Sequence, residues 1–295
     1  MKTLKIGPQE FEWGARTYLM GILNITPDSF SGDGLYHPEH GAAQTDALAQ
    51  ARGFVSSGAT ILDVGGESTR PGAQPVSADE ELGRVLPVVR ALAAEFPTIV
   101  ISIDTHKAIV AEEALNAGAH LVNDVWGLRA DPAVAGVIAA HNAPVVLMHN
   151  RSKPSDARLQ EQLGGRYVGV EYGNLVEDVK AELTESVQRA RDAGIPNEHI
   201  ILDPGIGFGK TVEQNLELLN RLDEIRALGF PVLLGPSRKS FIGYTLNLPP
   251  DQRVEGTTAA VAVGIARGAD VVRVHDVETM ARVARMTDAI VRRNP

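Results

Sequence analysis

The stretch "TIVISID", residues 98–104, is a block of Ile and Val that ends in an aspartate. It does not alternate apolar with polar, as a strand with one wet face does. A strand buried on both faces reads this way, and such strands belong to parallel sheets. The same kind of block recurs along the chain: "TYLMGILN" (17–24), "ATILDVG" (59–65), "AHLVND" (119–124), "APVVLMH" (143–149), "HIILD" (199–203), "FPVLLG" (230–235) and "ADVVRVH" (269–275). Helical patterns lie between the blocks. Residues 212–228 carry Leu218, Leu222 and Ile225 at helical spacing, with Thr211 and Gln214 placed as a capping box. Ser77 with Glu80 opens another helix, Asp131-Pro132 reads as an N-cap with proline behind it, and 173–193 is a long amphipathic helix stopped by Gly194 and Pro196. Eight such alternations predict an α/β protein of the (β/α)8 TIM-barrel type. An open doubly wound sheet is the other reading of the alternation. Residues 1–16 are expected to form a short N-terminal hairpin at the barrel bottom. Residues 150–172 show no clear period and are expected to form a mobile loop. No linker or shift of composition divides residues 1–295, so one domain is expected.

The bulk numbers agree with a soluble globular protein. The chain has 295 residues, 44% apolar and 22% charged. It has no cysteine, which excludes disulfides and thiolate chemistry. A net charge of −9 argues against nucleic acid and anionic membranes as partners. No apolar run reaches a membrane span, and the opening residues have no apolar leader core, so cytoplasm is the expected location.

The blocks end in polar residues: Asn24, Asp63 with Glu67 beyond, Asp104, Asn123-Asp124, His149, Asp203, Ser237-Arg238-Lys239, and Arg273 with His275. In a barrel these ends meet at one rim, where active sites are built. Arg70, Lys210, Arg238, Lys239, Arg273 and His275 stand near strand ends in an acidic protein, which points to an anionic ligand such as phosphate or pyrophosphate. The carboxylates and amides suit a flat heterocycle rich in N–H groups. The string "LDPGIGFGKT" (202–211) ends like a nucleotide-binding phosphate loop. Pro204, however, stands where that loop needs a glycine and a backbone donor, so an ATPase is excluded.

Taken together, "MGILNITPDSFSGDG" (20–34), "DVGGESTRPG" (63–72), "SIDTHKA" (102–108), "VNDVWG" (122–127), "LDPGIGFGK", "GPSRKSFIG" (235–243) and "VVRVHD" (271–276) resemble the dihydropteroate synthase family. The resemblance implies a TIM barrel that joins 6-hydroxymethyl-7,8-dihydropterin pyrophosphate to p-aminobenzoate with Mg²⁺, and a homodimer. It implies that Asn24 holds the Mg²⁺. It assigns Asp104, Asn123, Asp203 and Lys239 to the pterin, and Arg70, Arg273 and His275 to pyrophosphate. It assigns Thr69, Pro71, Phe208, Ser240 and Phe30 to the aminobenzoate. Asp104, Lys239, Arg273 and His275 are the implied catalytic set. Asp63 and Glu67 are read as structural, Lys210 as either a solvated charge at a helix start or a ligand. His149 and Asn150 are read as supporting residues, Trp126 as packing, and Asp124 as a brace on a neighbouring strand. Asp28 and Asp33 receive no role. The chain departs from the family at the Gly32-Asp33 order, at Pro236 where threonine is usual, and at His106 where an apolar residue is frequent. A pterin-dependent methyltransferase domain would not need the rim cations. A non-catalytic pterin-binding paralogue would be expected to lose Asn24 or Lys239, and both are present.

Overall fold

The computed structural model describes residues 3–27, 34–35, 43–69, 73–160, 162–168 and 170–292. The chain opens with two antiparallel strands, β1 (Thr3–Ile6) and β2 (Gln9–Glu12), paired Leu4 to Phe11 and Ile6 to Gln9. Eight parallel strands follow: β3 (Tyr18–Asn24), β4 (Ile61–Gly65), β5 (Val100–Asp104), β6 (Leu121–Asp124), β7 (Val145–Met148), β10 (Ile200–Asp203), β11 (Leu233–Leu234) and β12 (Val271–Val274). Between β7 and β10 a second antiparallel pair intervenes, β8 (Ala157–Gln160) with β9 (Gly164–Tyr167). Strand β12 pairs with β3, and a parallel bridge from Leu202 to Val232 joins β10 to the start of β11, so the sheet closes on itself.

Ten α-helices are present among the described residues: α1 (Ala43–Ser56), α2 (Ala78–Glu95), α3 (Ala108–Asn116), α4 (Val134–Ala140), α5 (Leu175–Asp192), α6 (Val212–Asn220), α7 (Leu222–Arg226), α8 (Ser240–Leu246), α9 (Val254–Ala266) and α10 (Val277–Val291). The expected capping box is present: Gln214 N donates to Thr211 Oγ1 at 3.3 Å and Thr211 N to Gln214 Oε1 at 2.8 Å. Ser77 caps α2 by accepting from Glu80 N. Asn174 caps α5.

Three expectations are corrected. The helix expected over 212–228 is two helices, because the backbone leaves helical geometry at Arg221. Asp131 does not cap α4, which begins at Val134. One of its oxygens accepts from Ala133 N, and the other from Ala108 N at the start of α3. The segment 150–172 contains the β8–β9 hairpin, which lacked a visible period because its outer strand is mostly exposed.

The barrel sorts its residues by the period of two along a strand. Leu62, Val64, Ile101, Ile103, Val122, Leu147, Leu202 and Val272 pack outward against the helices. Met20, Ile61, Val100, Leu121, Val146, Ile201, Leu233 and Val271, one from each barrel strand, form a separate inner cluster with Leu4, Ile6, Phe11, Trp13 and Tyr18. The first hairpin thus plugs the bottom, as expected. Its strand residues alternate buried with exposed, and the Phe11 ring stacks on Trp13 at 5.3 Å and lies tilted against Tyr18 at 4.6 Å.

Candidate active site

Two residues beyond the inner apolar cluster, the same faces carry Asp63, Ser102, Asn123, Asp203 and Arg273. These five strands start apolar inside and end polar inside, while Ile22, Met148 and Gly235 keep the other three apolar there. A cavity of about 300 Å³ opens there. It brings together Asn24, Thr69, Asp104, Asn123, Asp203, Phe208, Lys239, Ser240, Arg273 and His275, all named from the sequence. Arg70, Pro71, Phe30, Asp28 and Asp33 lie outside the described residues.

Arg273 is the centre of charge. Its Nε donates to Asp63 Oδ2 at 2.6 Å and its Nη2 to Asp104 Oδ2 at 2.7 Å. Asn123 Nδ2 donates to the same Asp63 oxygen at 3.0 Å. Asp63 is fully buried, and it holds both a cation and an amide in place. Its role in orienting the site went beyond the structural one read from its glycine-rich setting. Burial pushes the Asp104 carboxyl up to about 7, although the Arg273 charge works against this. Burial also works to lower the Arg273 pKa, but Asp63 and Asp104 outweigh it and the group stays firmly charged.

Lys239 and Asp203 both line the cavity and attract each other. Lys239 Nζ donates to the Ile206 carbonyl and sits 4.5 Å above the Phe208 ring. Burial lowers its pKa to about 8, against the pull of Asp203. Burial raises that of Asp203, against the Lys239 charge, while Gly205 N donates to Asp203 Oδ1 at 2.7 Å. The loop carrying Phe208 is packed tightly. At Gly205, φ is +71° and a Cβ would meet the His149 carbonyl oxygen at 1.8 Å.

Lys210 proves neither solvated nor a cavity residue. It is 2% exposed, and its ammonium donates to Gly205 O at 2.9 Å and Phe208 O at 3.0 Å, with His149 Nδ1 at 2.9 Å. Burial lowers its pKa to about 7. Burial holds His149 near 3, so its imidazole is neutral, and Nε2 lies 3.1 Å from Glu182 Oε2. A neutral ring accepts from the Lys210 ammonium at Nδ1, while the buried Nε2 makes no hydrogen bond of good geometry. Asn150 donates to Val125 O at 3.0 Å, so both residues of the "HN" pair are supports, as read from the sequence.

Other polar residues also find partners. Arg238, counted among the anion-seeking cations, forms a two-point pair with Asp276 at 3.0 and 2.6 Å. Its φ of +55° is a left-handed value in a non-glycine residue beside the cavity. His275 Nδ1 lies 3.0 Å from Ser237 Oγ. Asp124 braces its own turn, accepting from Trp126 N and Leu128 N, and not a neighbouring strand. Glu67 pairs with Lys107 at 2.7 Å, the structural role expected of it. Trp126 is only partly buried and borders a second cavity beside His106, so it is not core packing. Sequence reasoning missed Arg253, which is buried and lines the main cavity, and the β8–β9 residues beside it. The pair Gly164-Gly165, a turn signal in a segment otherwise without period, was the available clue.

The fold and the cavity define a (β/α)8-barrel enzyme whose rim sets carboxylates beside cations. The family model of the pterin binding enzymes matches residues 20–275. A dihydropteroate synthase of Clostridium beijerinckii is 51% identical over 292 residues, covering 98% of this chain and 100% of the relative. The crystal structure of a dihydropteroate synthase from Clostridium difficile, in the presence of pteroic acid, is 48% identical with a TM-score of 0.85. It covers 96% of this chain and 100% of its own. The Xanthomonas albilineans dihydropteroate synthase with 4-aminobenzoic acid is 40% identical with a TM-score of 0.82, over 94% of each chain. The chain belongs to the pterin binding enzyme family and, within it, to the dihydropteroate synthases. No helix among the described residues is long and apolar enough to cross a membrane.

Proposed function

We propose that this rim joins 6-hydroxymethyl-7,8-dihydropterin pyrophosphate to p-aminobenzoate, giving 7,8-dihydropteroate and pyrophosphate, and that the chain does so in the cytoplasm. The observation that carries the assignment of roles is one cavity lined by Asp104, Asn123 and Asp203 together with Lys239, Arg273 and His275. Asp203 accepts from the amino and N3–H edge of the pterin, Asn123 reads a mixed edge, and Lys239 donates to the ring carbonyl and N5. Arg273, His275 and Arg70 take the pyrophosphate. Thr69, Phe208 and Ser240, with Pro71 and Phe30, hold the aminobenzoate, its carboxylate toward Ser240.

The donor set suits magnesium. Among the described residues no group of three or more His, Asp or Glu could cage a metal, while the Asn24 amide lines the cavity. One protein oxygen with water and substrate oxygens as the remaining ligands is the manner in which Mg²⁺ is commonly held. When bound at Asn24, the ion neutralises charge on the pyrophosphate.

The C–O bond to the methylene carbon breaks and its electron pair leaves on pyrophosphate. Arg273 and His275 stabilise that growing negative charge. The positive charge left behind spreads into the pterin ring, and the Asp104 carboxylate stabilises it. The aromatic amine is already neutral near pH 7. It forms the new C–N bond and loses its proton to solvent without a strong base. Incubation with both substrates and Mg²⁺ should release pyrophosphate in step with dihydropteroate. No release under saturating conditions rejects the enzymatic reading.

A homodimer is part of this reading. The exposed Met286, Ile290 and Val291 on α10 support it as an apolar face suited to a second copy. Light scattering should give twice the chain mass, and a monomer at micromolar concentration contradicts it.

A further inference from the structure

The string "GIGFGKT", residues 205–211, ends like a phosphate loop but is wound around its own lysine. The Lys210 ammonium is enclosed by Gly205 O at 2.9 Å, Phe208 O at 3.0 Å and His149 Nδ1 at 2.9 Å. Three acceptors need three N–H groups, and an ammonium supplies them. A phosphate loop points backbone N–H groups at an anion. Here backbone carbonyls point at a cation, and the cation belongs to the loop itself.

The loop is fixed on its other sides as well. Asn215 Oδ1 accepts from Gly207 N at 2.6 Å, and Asn215 Nδ2 donates to Lys210 O at 3.2 Å. Tyr172 Oη donates to Gly209 O at 2.9 Å. At Gly209, φ is +60° and a Cβ would strike the backbone of Arg151 and Ser152. Close packing on that side leaves the loop no room to shift toward the end of β7.

Phe208 stands between two lysines. Lys210 holds its carbonyl from inside the protein, and Lys239 Nζ lies 4.5 Å from the centre of its ring, which lines the cavity. Asp203 is held separately. It belongs to β10, and its carbonyl accepts from His149 N at 3.0 Å as part of the sheet. Of the two lysines, Lys239 supplies the larger charge opposing its burial.

We propose that Lys210 is a positioning residue for the aromatic amine: its buried ammonium, seated on His149, holds the Phe208 carbonyl and so fixes the ring against which the aminobenzoate packs. The inference rests on the proposed placement of the aminobenzoate at Phe208. Without the ammonium, the Gly205 and Phe208 carbonyls lose a buried donor, and the loop must turn to regain partners. The Phe208 ring moves with it, while Asp203 stays with its strand.

Steady-state kinetics with each substrate varied in turn separates this role from a general structural one. Lys210→Met should raise KM for p-aminobenzoate about tenfold, the scale of one charged hydrogen bond, and leave KM for the pterin pyrophosphate within about threefold of wild type. A purely structural anchor would lower kcat through the folded fraction and move neither KM. In a Phe208→Ala background, Lys210→Met should add less than about twofold to KM for p-aminobenzoate, because residues that act as one unit are not additive. His149 gives a second handle should Lys210→Met fail to fold. His149→Asn keeps an acceptor for the ammonium and should stay within about twofold of wild type, whereas His149→Leu removes it and should raise the same KM severalfold. An unchanged KM for p-aminobenzoate in Lys210→Met overturns the proposal. So do an equal rise for both substrates, full additivity with Phe208→Ala, or identical KM values in the two His149 variants. A wild type that makes no dihydropteroate rejects the proposed function instead, so the two failures are distinguishable.

Discussion

The two hairpins occupy opposite ends of one barrel. At the bottom, β1–β2 turns Leu4, Ile6 and Phe11 onto an apolar cluster with one residue from each barrel strand. At the top, β8–β9 borders a cavity lined by carboxylates, amides and cations, and its outer strand is mostly exposed. Both hairpins are antiparallel, with four residues in each strand. They differ in what the barrel strands present to them. The lower inward positions are Ile, Val, Leu and Met. The upper ones include Asp63, Asn123, Asp203 and Arg273. One end seals the core and so carries stability. The other stays open and carries chemistry.

Substitutions at the two ends should therefore separate stability from catalysis. The largest effect is expected at the bottom. Phe11→Ala removes a fully buried ring from the aromatic cluster and should cost about 3–5 kcal/mol of unfolding free energy. Urea denaturation measures the loss. kcat/KM at low temperature should stay within about twofold of wild type, since no atom of the site moves. A large fall in activity without a loss of stability would break the contrast between the ends.

At the top the reverse holds. Lys239→Ala should reduce kcat/KM by about 2–3 kcal/mol of transition-state stabilisation, roughly 30- to 150-fold. Its melting temperature should fall less than that of Phe11→Ala, because relief of the lysine's own desolvation offsets the lost attraction to Asp203. Activity within twofold of wild type contradicts the role given to Lys239.

The smallest effect is in pH dependence, which sharpens the picture of the top. Asp104 acts as a carboxylate, and burial pushes its carboxyl up to about 7, so kcat/KM should fall as the pH drops below 7. Lys239 acts as an ammonium lowered to about 8, so kcat/KM should also fall as the pH rises above 8. A narrow bell results, with limbs of about tenfold per pH unit. Asp104→Asn should abolish the acid limb. A wild-type profile flat between pH 5 and 7 would show that Asp104 does not act as the anion.

Much of this architecture was legible in order along the chain. The barrel strands announced themselves as apolar blocks because burial on both faces leaves no alternation to obscure them. The polar residues at or beside the end of each block marked the rim. Thr211 with Gln214 and Ser77 with Glu80 marked helix starts through contacts between residues three apart, which a sequence displays directly. The β8–β9 hairpin did not show, because short exposed strands bury too little to impose a pattern. The break at Arg221 between α6 and α7 carried no glycine or proline to announce it.

The amino-acid order thus determined the barrel, its plugged end, its polar rim and the family, since each of these is written in local periodicity and in motifs. It did not determine which charges meet. Arg273 joins Asp63 across 210 positions, and Lys210 reaches His149 across 61. Those pairings arise when strands close into a ring and loops fold over it. Coulomb energy depends on distance in space and on the water excluded between charges, and closure of the barrel sets both.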